Sequence, residues 1–392
     1  MQTELNFDTV QPRRNSDCQK WDYIKPDVLP LWVADMDFAS PPAVSAALEE
    51  AVRHGIFGYP YFGTQAQETV ADWLTARHGW QLDPASVVPV PGVVTGFNLA
   101  TNTVAQRGEG VLVQTPTYHP MLRVAKNFGL TQQQMLLTQD PAGQYQIDLQ
   151  AFESAIRPET RIFLLCNPQN PTGRVFTRPE LEGMAEICLR HGVIICSDEI
   201  HSDLVFSGQT HIPIASLDQS IAEHTITLVA PSKTFNTAGL IASAAIIENE
   251  ELRNKFNASR QGLVGYVNSL GSIAMQAAYQ HGAPWLENLL NYLEANRDLT
   301  AQFVQERLPG VKMASPQGTF LAWLDCRELG LRAAPQASIN PFFEEHAKVA
   351  LNEGAQFGAG GEGFVRLNFG CPRATLLEAL ERMEAAILKN LP

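Results

Sequence analysis

The sequence predicts an α/β protein in which a mostly parallel sheet forms a large domain, joined to a smaller α+β domain. Three observations predict it. Short apolar runs rich in branched residues alternate with longer helical patterns through the middle of the chain, which is the pattern of βαβ units. Beyond about Gly282 the texture changes to one long amphipathic stretch followed by alternating segments. A chain of 392 residues also exceeds what one ordinary core sustains, so a second unit is expected.

Taken in order, the first ~45 residues are Pro-rich and irregular, and no helical or strand period is legible in them. They are expected to wrap back onto the C-terminal part, so that residues 46–282 make the large domain and residues 1–45 with 283–392 the small one. The expected strands are VVPV at 87–90, VLVQ at 111–114, RIFLLC at 161–166, VIICS at 193–197, TITLV at 225–229 and SAAII at 243–247. The turn VPGVVTG at 90–96 leads into a helix expected from Phe97 to Val104. Thr177 is placed to cap another helix, Glu180 completes a capping box, and Leu181, Met184, Ala185 and Cys188 form its apolar stripe. In the C-terminal part, WLENLLNYLEANRDLTAQFVQERL reads as a long helix, and GTFLAWLDC and FVRLNF read as strands. Leu376, Leu380, Met383 and Ile387 mark one face of a closing helix.

Composition narrows the function classes. The apolar fraction is 45% and the charged fraction 18%, against roughly 25% charged in ordinary globular chains, so much surface is buried, a subunit interface included. A net charge of -13 argues against a nucleic-acid-binding stripe, which needs clustered Lys and Arg. Small molecules are the expected partners. The six cysteines contain no C-x-x-C pair and three lie in apolar stretches, as buried free thiols of a reducing cytoplasm would. The N-terminal residues lack the apolar core of a signal peptide, and no run approaches the ~18 apolar residues of a membrane helix. The expectation is a cytoplasmic protein with no membrane association. His201, His211 and His224 share no ligand spacing, and no metal is expected.

Three polar clusters directly follow apolar strands: NPQNPTG at 167–173, SDEIH at 197–201 and the turn around Lys233 in VAPSKTFNTAGL. In an open α/β sheet the carboxyl ends of the strands form the ligand crevice, so these clusters converge. Lys233 opens a small-residue turn with no basic neighbour, and an amine there can lose its proton and attack a carbonyl; a solvated lysine is the alternative. Asp198 ends a buried strand, where a carboxylate is costly unless paired. A pyridinium nitrogen would pair it, and helix capping is the competing account. Asn170 lies between Pro168 and Pro171, which restrict its backbone and aim its amide; a plain turn asparagine remains open. An amide donor suits a ring phenolate oxygen, and His201 would donate to that oxygen or to Asn170, or be a satisfied structural histidine. Tyr118, in TPTYHP, would lay its ring on a flat heteroaromatic ligand, or be a core aromatic. The amides of Val93, Val94 and Thr95 at a helix start make an anion site. Arg366 is flanked by apolar residues, and its planar fork suits a carboxylate; Glu362 is the competing internal partner. A pyridoxal phosphate Schiff base fits the set.

Over nearly its whole length the chain resembles the fold-type I pyridoxal-phosphate enzymes of the aminotransferase class I/II superfamily, and within them the MalY/PatB-type cystathionine β-lyases and cystalysins. The strings that carry the resemblance are LPLWVADMDF at 29–38, FGYPYF at 57–62, SDEIHSDLVF at 197–206, APSKTFNTAGL at 230–240 and GFVRLNFGCPR at 363–373. The resemblance implies a homodimer with active sites at the interface, and a small domain that closes over an amino-acid substrate. It makes Lys233 the Schiff-base lysine, Asp198 the pyridinium partner, Asn170 and His201 the contacts on the ring-hydroxyl side and Tyr118 the stacking ring. Val93, Val94 and Ser232 would meet the phosphate, with Tyr59 reaching the phosphate of the neighbouring subunit. Arg366 and the backbone at Ala34 would take the substrate carboxylate. Two positions depart from the superfamily pattern: Ile241 stands where many members place an arginine eight residues after the lysine, and Ala230 where a serine is frequent.

The activity so implied is carbon–sulfur β-elimination from cystathionine, cysteine or an S-substituted cysteine. An aminotransferase would use the same residues, and a pyridoxal-phosphate-bearing regulator acting through a protein partner is a further alternative.

Overall fold

The computed structural model describes residues 6–330 and 338–390. A seven-stranded sheet is built from β1 (Val87–Val90), β2 (Gly110–Thr115), β3 (Thr131–Leu136), β4 (Thr160–Cys166), β5 (Ile194–Asp198), β6 (Thr225–Val229) and β7 (Ser243–Ile246), in the order β1-β7-β6-β5-β4-β2-β3. The pairs from β3 through β6 are all parallel, and β7 is antiparallel to both β6 and β1. Two antiparallel steps restore the direction, so the carboxyl end of β1 emerges on the same edge as those of β2, β4, β5 and β6. That edge carries the polar clusters.

Both faces of this sheet are covered, as apolar alternation on both sides requires. Val111, Val113, Ile162, Leu164, Ile226 and Leu228 face one layer with Phe97 and Ala100 of helix α1 (Val93–Val104). Leu112, Phe163, Leu165 and Ile195 face the other, with Leu181, Met184 and Cys188 of helix α2 (Arg178–His191). The Thr177–Glu180 capping box that opens α2 is present. Helix α1 begins at Val93, four residues before the expected start at Phe97, because Gly92 at φ 93° makes the turn and its carbonyl takes the first helical bond from Gly96. The sequence signal there is only a glycine, with no polar capping side chain to mark the boundary.

A second sheet has four strands, β8 (Lys312–Met313), β9 (Leu321–Asp325), β10 (Asn352–Glu353) and β11 (Phe364–Asn368), in the antiparallel order β8-β9-β11-β10. It lies with helices α3 (Ala283–Arg307) and α4 (Arg373–Asn390), whose Leu376, Leu380, Met383 and Ile387 are all buried. The N-terminal segment is mostly irregular and joins this part of the chain: Leu29–Pro30 pair with Val349–Ala350, and Asn368 donates its backbone N–H to Leu31 O. None of the described helices is long and apolar enough to cross a membrane.

Phe97 is fully buried between α1 and the sheet. Phe97→Ala should cost about 3–5 kcal/mol of stability, seen as a lowered urea midpoint at constant slope; an unchanged midpoint would contradict this account of how α1 is held.

Candidate active site

The carboxyl ends of the strands open into a cavity of about 650 Å³ whose lining includes Ala34, Val93, Val94, Tyr118, Asn170, Asp198, His201, Ser232, Lys233 and Arg366. With Thr95, which also lines it, eleven of the twelve residues singled out from sequence as cofactor or substrate contacts therefore meet in one place. The twelfth, Tyr59, does not: it is 97% exposed on an irregular segment and is not part of the cavity lining.

Lys233 follows β6 in a single helical turn, Pro231–Thr234, and its Nζ donates to the carbonyl of Ala34 at 2.6 Å. Burial pushes its amine down to about 8, assisted by the Arg366 charge and opposed by Asp35 and Asp198. Thr234 beside it is tied by its hydroxyl to the buried Asp203 at 2.8 Å, which also accepts from Trp73 Nε1. The turn is thus anchored from below by a carboxylate that the sequence does not single out.

Asp198 ends β5 buried in the protein, and among the described residues its carboxylate accepts one bond, from the Ile200 amide at 3.1 Å. Burial is the main reason its carboxyl is raised to about 7. His201 is buried with Nδ1 lacking any partner among the described residues, and burial with the nearby Lys233 and Arg366 charges keeps it neutral. It does not bond Asn170. Instead Asn170 Oδ1 accepts from Arg366 Nη1 at 2.9 Å, which turns the amide so that its NH₂ is left to donate elsewhere.

Arg366, on β11, is 4% exposed. Its partners are neutral: Asn170 Oδ1, the Trp32 carbonyl at 2.8 Å and Asn352 Oδ1. Glu362, the internal partner the sequence offers, is exposed and accepts from the Gly360 amide instead. Arg366 Nε has no partner among the described residues, and burial lowers the guanidinium to about 10.

These features suit a phosphorylated pyridine ring. The amides of Val93, Val94 and Thr95 precede the first helical hydrogen bond of α1 and are oriented as an anion-binding helix start. Asp198 is an unneutralised buried acceptor for a protonated ring nitrogen, and His201 and Asn170 retain capacity for a ring oxygen. Tyr118 stands in the same wall.

Sequence reasoning missed several lining residues. Trp32 acts through its carbonyl, which no side-chain type reveals. Asn352 belongs to a two-residue strand that has no periodic signal. His119 lines the cavity beside Tyr118 with its Nδ1 unpartnered among the described residues, and burial with Arg123 and Arg366 lowers it to about 4; its place in TPTYHP was a signal available to find it.

Residues 26–383 match the sequence profile of the aminotransferase class I and II family. The chain is 43% identical to cystathionine beta-lyase PatB of Bacillus subtilis strain 168, over 98% of this chain and 100% of that protein. It is similar to the crystal structure of cystalysin from Treponema denticola, which contains a pyridoxal 5'-phosphate cofactor, with a TM-score of 0.94, 32% identity and 100% of both chains covered. The PLP-bound C-S lyase from Staphylococcus hominis matches with a TM-score of 0.92 and 31% identity, over 99% of this chain and 100% of that one.

The raised Asp198 carboxyl has a consequence for the cofactor-free chain. With a folded value of about 7 against an ordinary 3.8, the native state keeps a proton that the unfolded chain has lost, so this group's contribution to stability declines as pH rises across that window. Asp198→Asn cannot titrate. Its stability relative to wild type should therefore climb from pH 4 to pH 7 and then level off in urea titrations. A flat difference would mean that the carboxylate is compensated within the chain.

Proposed function

The chain belongs to the aminotransferase class I and II family, and we propose that it is a pyridoxal-phosphate-dependent carbon–sulfur β-lyase. It takes cystathionine, cysteine or an S-substituted cysteine, with water, to pyruvate, ammonia and a thiol. The observation that carries this reading is the pairing, in one cavity, of a buried arginine fork bonded, among the described residues, only to neutral groups with a lysine amine lowered to about 8. The first suits an α-carboxylate and the second suits a base at the neighbouring carbon. Relatives named as cystathionine β-lyase and C-S lyase support the choice of reaction.

In this reading Lys233 carries the cofactor covalently, Asp198 faces its ring nitrogen, and Asn170 and His201 face the ring hydroxyl. Tyr118 lies on the ring, while Val93, Val94 and Ser232 hold the phosphate. When bound, pyridoxal phosphate supplies a ring that accepts the electron pair released at the substrate's α-carbon. Arg366 and the Ala34 amide hold the substrate carboxylate. Lys233 Nζ, released as a free amine when the substrate's amino group takes its place, removes the α-proton, a task for which a value near the working pH is favourable. The ammonium so formed then hands a proton to the departing sulfur, so one side chain serves as base and acid in turn.

The same reading assigns residues 46–282 to the cofactor-binding unit and 1–45 with 283–392 to the unit that closes over substrate. It also includes a cytoplasmic homodimer in which Tyr59 serves the opposite subunit's site. Tyr59, Tyr61 at 87% and Phe57 at 59% exposure form a run of bare aromatic rings, which on a soluble protein marks a contact surface.

Incubation of the loaded enzyme with L-cystathionine should release pyruvate, ammonia and homocysteine with no keto acid added. Product formed only when a keto acid is supplied, with the amino group recovered on it, would replace the lyase with an aminotransferase. Lys233→Ala should lose roughly 10²–10⁴-fold in turnover, and borohydride should cease to fix cofactor to the peptide bearing position 233. For the dimer, Lys233→Ala and Tyr59→Phe subunits that are each inactive should regain part of the activity when mixed, since one hybrid site is then intact. A fully active monomer in sedimentation would end that part of the reading.

A further inference from the structure

The segment from Leu31 to Phe38 runs between the turn that bears Lys233 and the strand that bears Arg366, and its backbone groups are divided between the two sides. Trp32 O accepts from Arg366 Nη2 at 2.8 Å and Ala34 O accepts from Lys233 Nζ at 2.6 Å. The intervening carbonyls turn the other way: Val33 O and Asp35 O both accept from Asn368 Nδ2 at 2.6 Å. Because peptide units are planar and each residue has only two soft torsions, fixing the carbonyls of 33 and 35 leaves the carbonyl of 34 little freedom.

Asn368 is well suited to that task. It lies two residues beyond Arg366 on β11, so both side chains leave the same face of the strand. It is fully buried, and its own Oδ1 accepts from the Gly370 amide at 2.8 Å, which fixes the direction of its NH₂. On the other side, Asn236 lies three residues after Lys233 in a left-handed conformation at φ 56°, which asparagine tolerates better than most residues. Its Oδ1 accepts from the Met36 amide at 3.0 Å, and its Nδ2 donates to Met36 O at 2.8 Å and Phe38 O at 2.7 Å. The segment is therefore clamped from the Arg366 strand by one asparagine and from the Lys233 turn by another. Between the clamps, the amide of Ala34 donates to no protein acceptor among the described residues.

We propose that Asn368 and Asn236 are positioning residues that act through the 31–38 strap. They hold the Ala34 carbonyl against Lys233, the Trp32 carbonyl against Arg366 and the free Ala34 amide toward the cavity, and so set the spacing between the proton-transferring amine and the carboxylate-binding fork. This rests on the reading of the cavity as an amino-acid site with Lys233 and Arg366 in those roles.

Asn236→Gly is the first test, because glycine accepts the left-handed backbone while deleting three bonds to the strap. Asn368→Ala is the second and removes the clamp on the opposite side; if it does not fold, Asn236→Gly decides alone. In hydrogen exchange, read on both the cofactor-free and the loaded chain, peptides covering 31–38 should exchange about tenfold faster while β5 and β6 keep their protection. In steady state, KM for the amino acid should rise about tenfold with kcat changed by less than about threefold, the mark of lost binding geometry. Unchanged exchange in the strap, or faster exchange with KM within about twofold of wild type, overturns the proposal. The lyase reading fails separately: wild type would then need an added keto acid, and the KM ratio would be taken on that reaction instead.

Discussion

Arg366 sits in the middle of a strand, almost wholly inside the protein, and among the described residues each group it donates to is a neutral dipole: the Trp32 carbonyl and the side-chain oxygens of Asn170 and Asn352. Removing a charged group from water costs several kcal/mol even after relaxation, and dipoles recover only part of it. The lowering of the guanidinium to about 10 records that shortfall. A carboxylate partner would have recovered more, but it would also have occupied the fork. The arrangement keeps the cation in place while leaving it under-neutralised, which is the condition under which an anionic ligand gains most from binding.

Asp198 obeys the same logic with the opposite sign. It has one amide for a partner, and Lys233 close enough to influence it without forming an ion pair with it. Such groups remain buried only because the surrounding structure is rigid enough to hold them, and here the rigidity comes from the sheet. Parallel strands with apolar residues on both faces present their carboxyl ends along one edge, so Asp198, Asn170, Tyr118 and Lys233 arrive from four different strands into one small volume. The antiparallel β7 matters because it returns β1 to that edge, and with it the free amides at the start of α1.

How much of this was legible in the sequence follows from which atoms do the work. Six of the seven strands of the large sheet announced themselves through short apolar runs, whereas β3, with the sequence TQQQML, carries no such run and was missed; side chains acting as side chains, such as Lys233 and Arg366, were conspicuous because their types are unusual after or within such runs. The start of α1 was misread by four residues, since a glycine turn carries no capping side chain. The irregular N-terminal segment was the least legible part. It contributes through the carbonyls of Trp32 and Ala34; a backbone carbonyl looks the same on every residue, and only the resemblance pointed to the backbone at Ala34. The clamping asparagines lay in plain view within APSKTFNTAGL and GFVRLNFGCPR, yet their partners are about 200 and 335 residues away in sequence, and single-sequence patterns hold no record of such pairings.

Ile241 shows how a departure in sequence becomes a feature of the site. A β-branched residue at φ 49° is strained, by an amount on the order of 1–2 kcal/mol, and strain of this kind persists only where neighbours over-determine the backbone. They do so here. The carbonyl of Leu240, just before it, accepts from Asn268 Nδ2 at 2.7 Å, and Gly271 packs so closely that a Cβ there would lie 2.4 Å from that same carbonyl oxygen. Held in this way, the Ile241 side chain stands against Gly92, where an added Cβ would meet its Cγ2 at 3.5 Å. Gly92 is the residue whose turn frees the amides of Val93, Val94 and Thr95. With no cation at position 241, the proposed phosphate cradle relies more on dipoles, so its strength depends on how well those three amides are aligned. A bulky residue buttressing the turn serves that alignment in a way a long, mobile arginine would not.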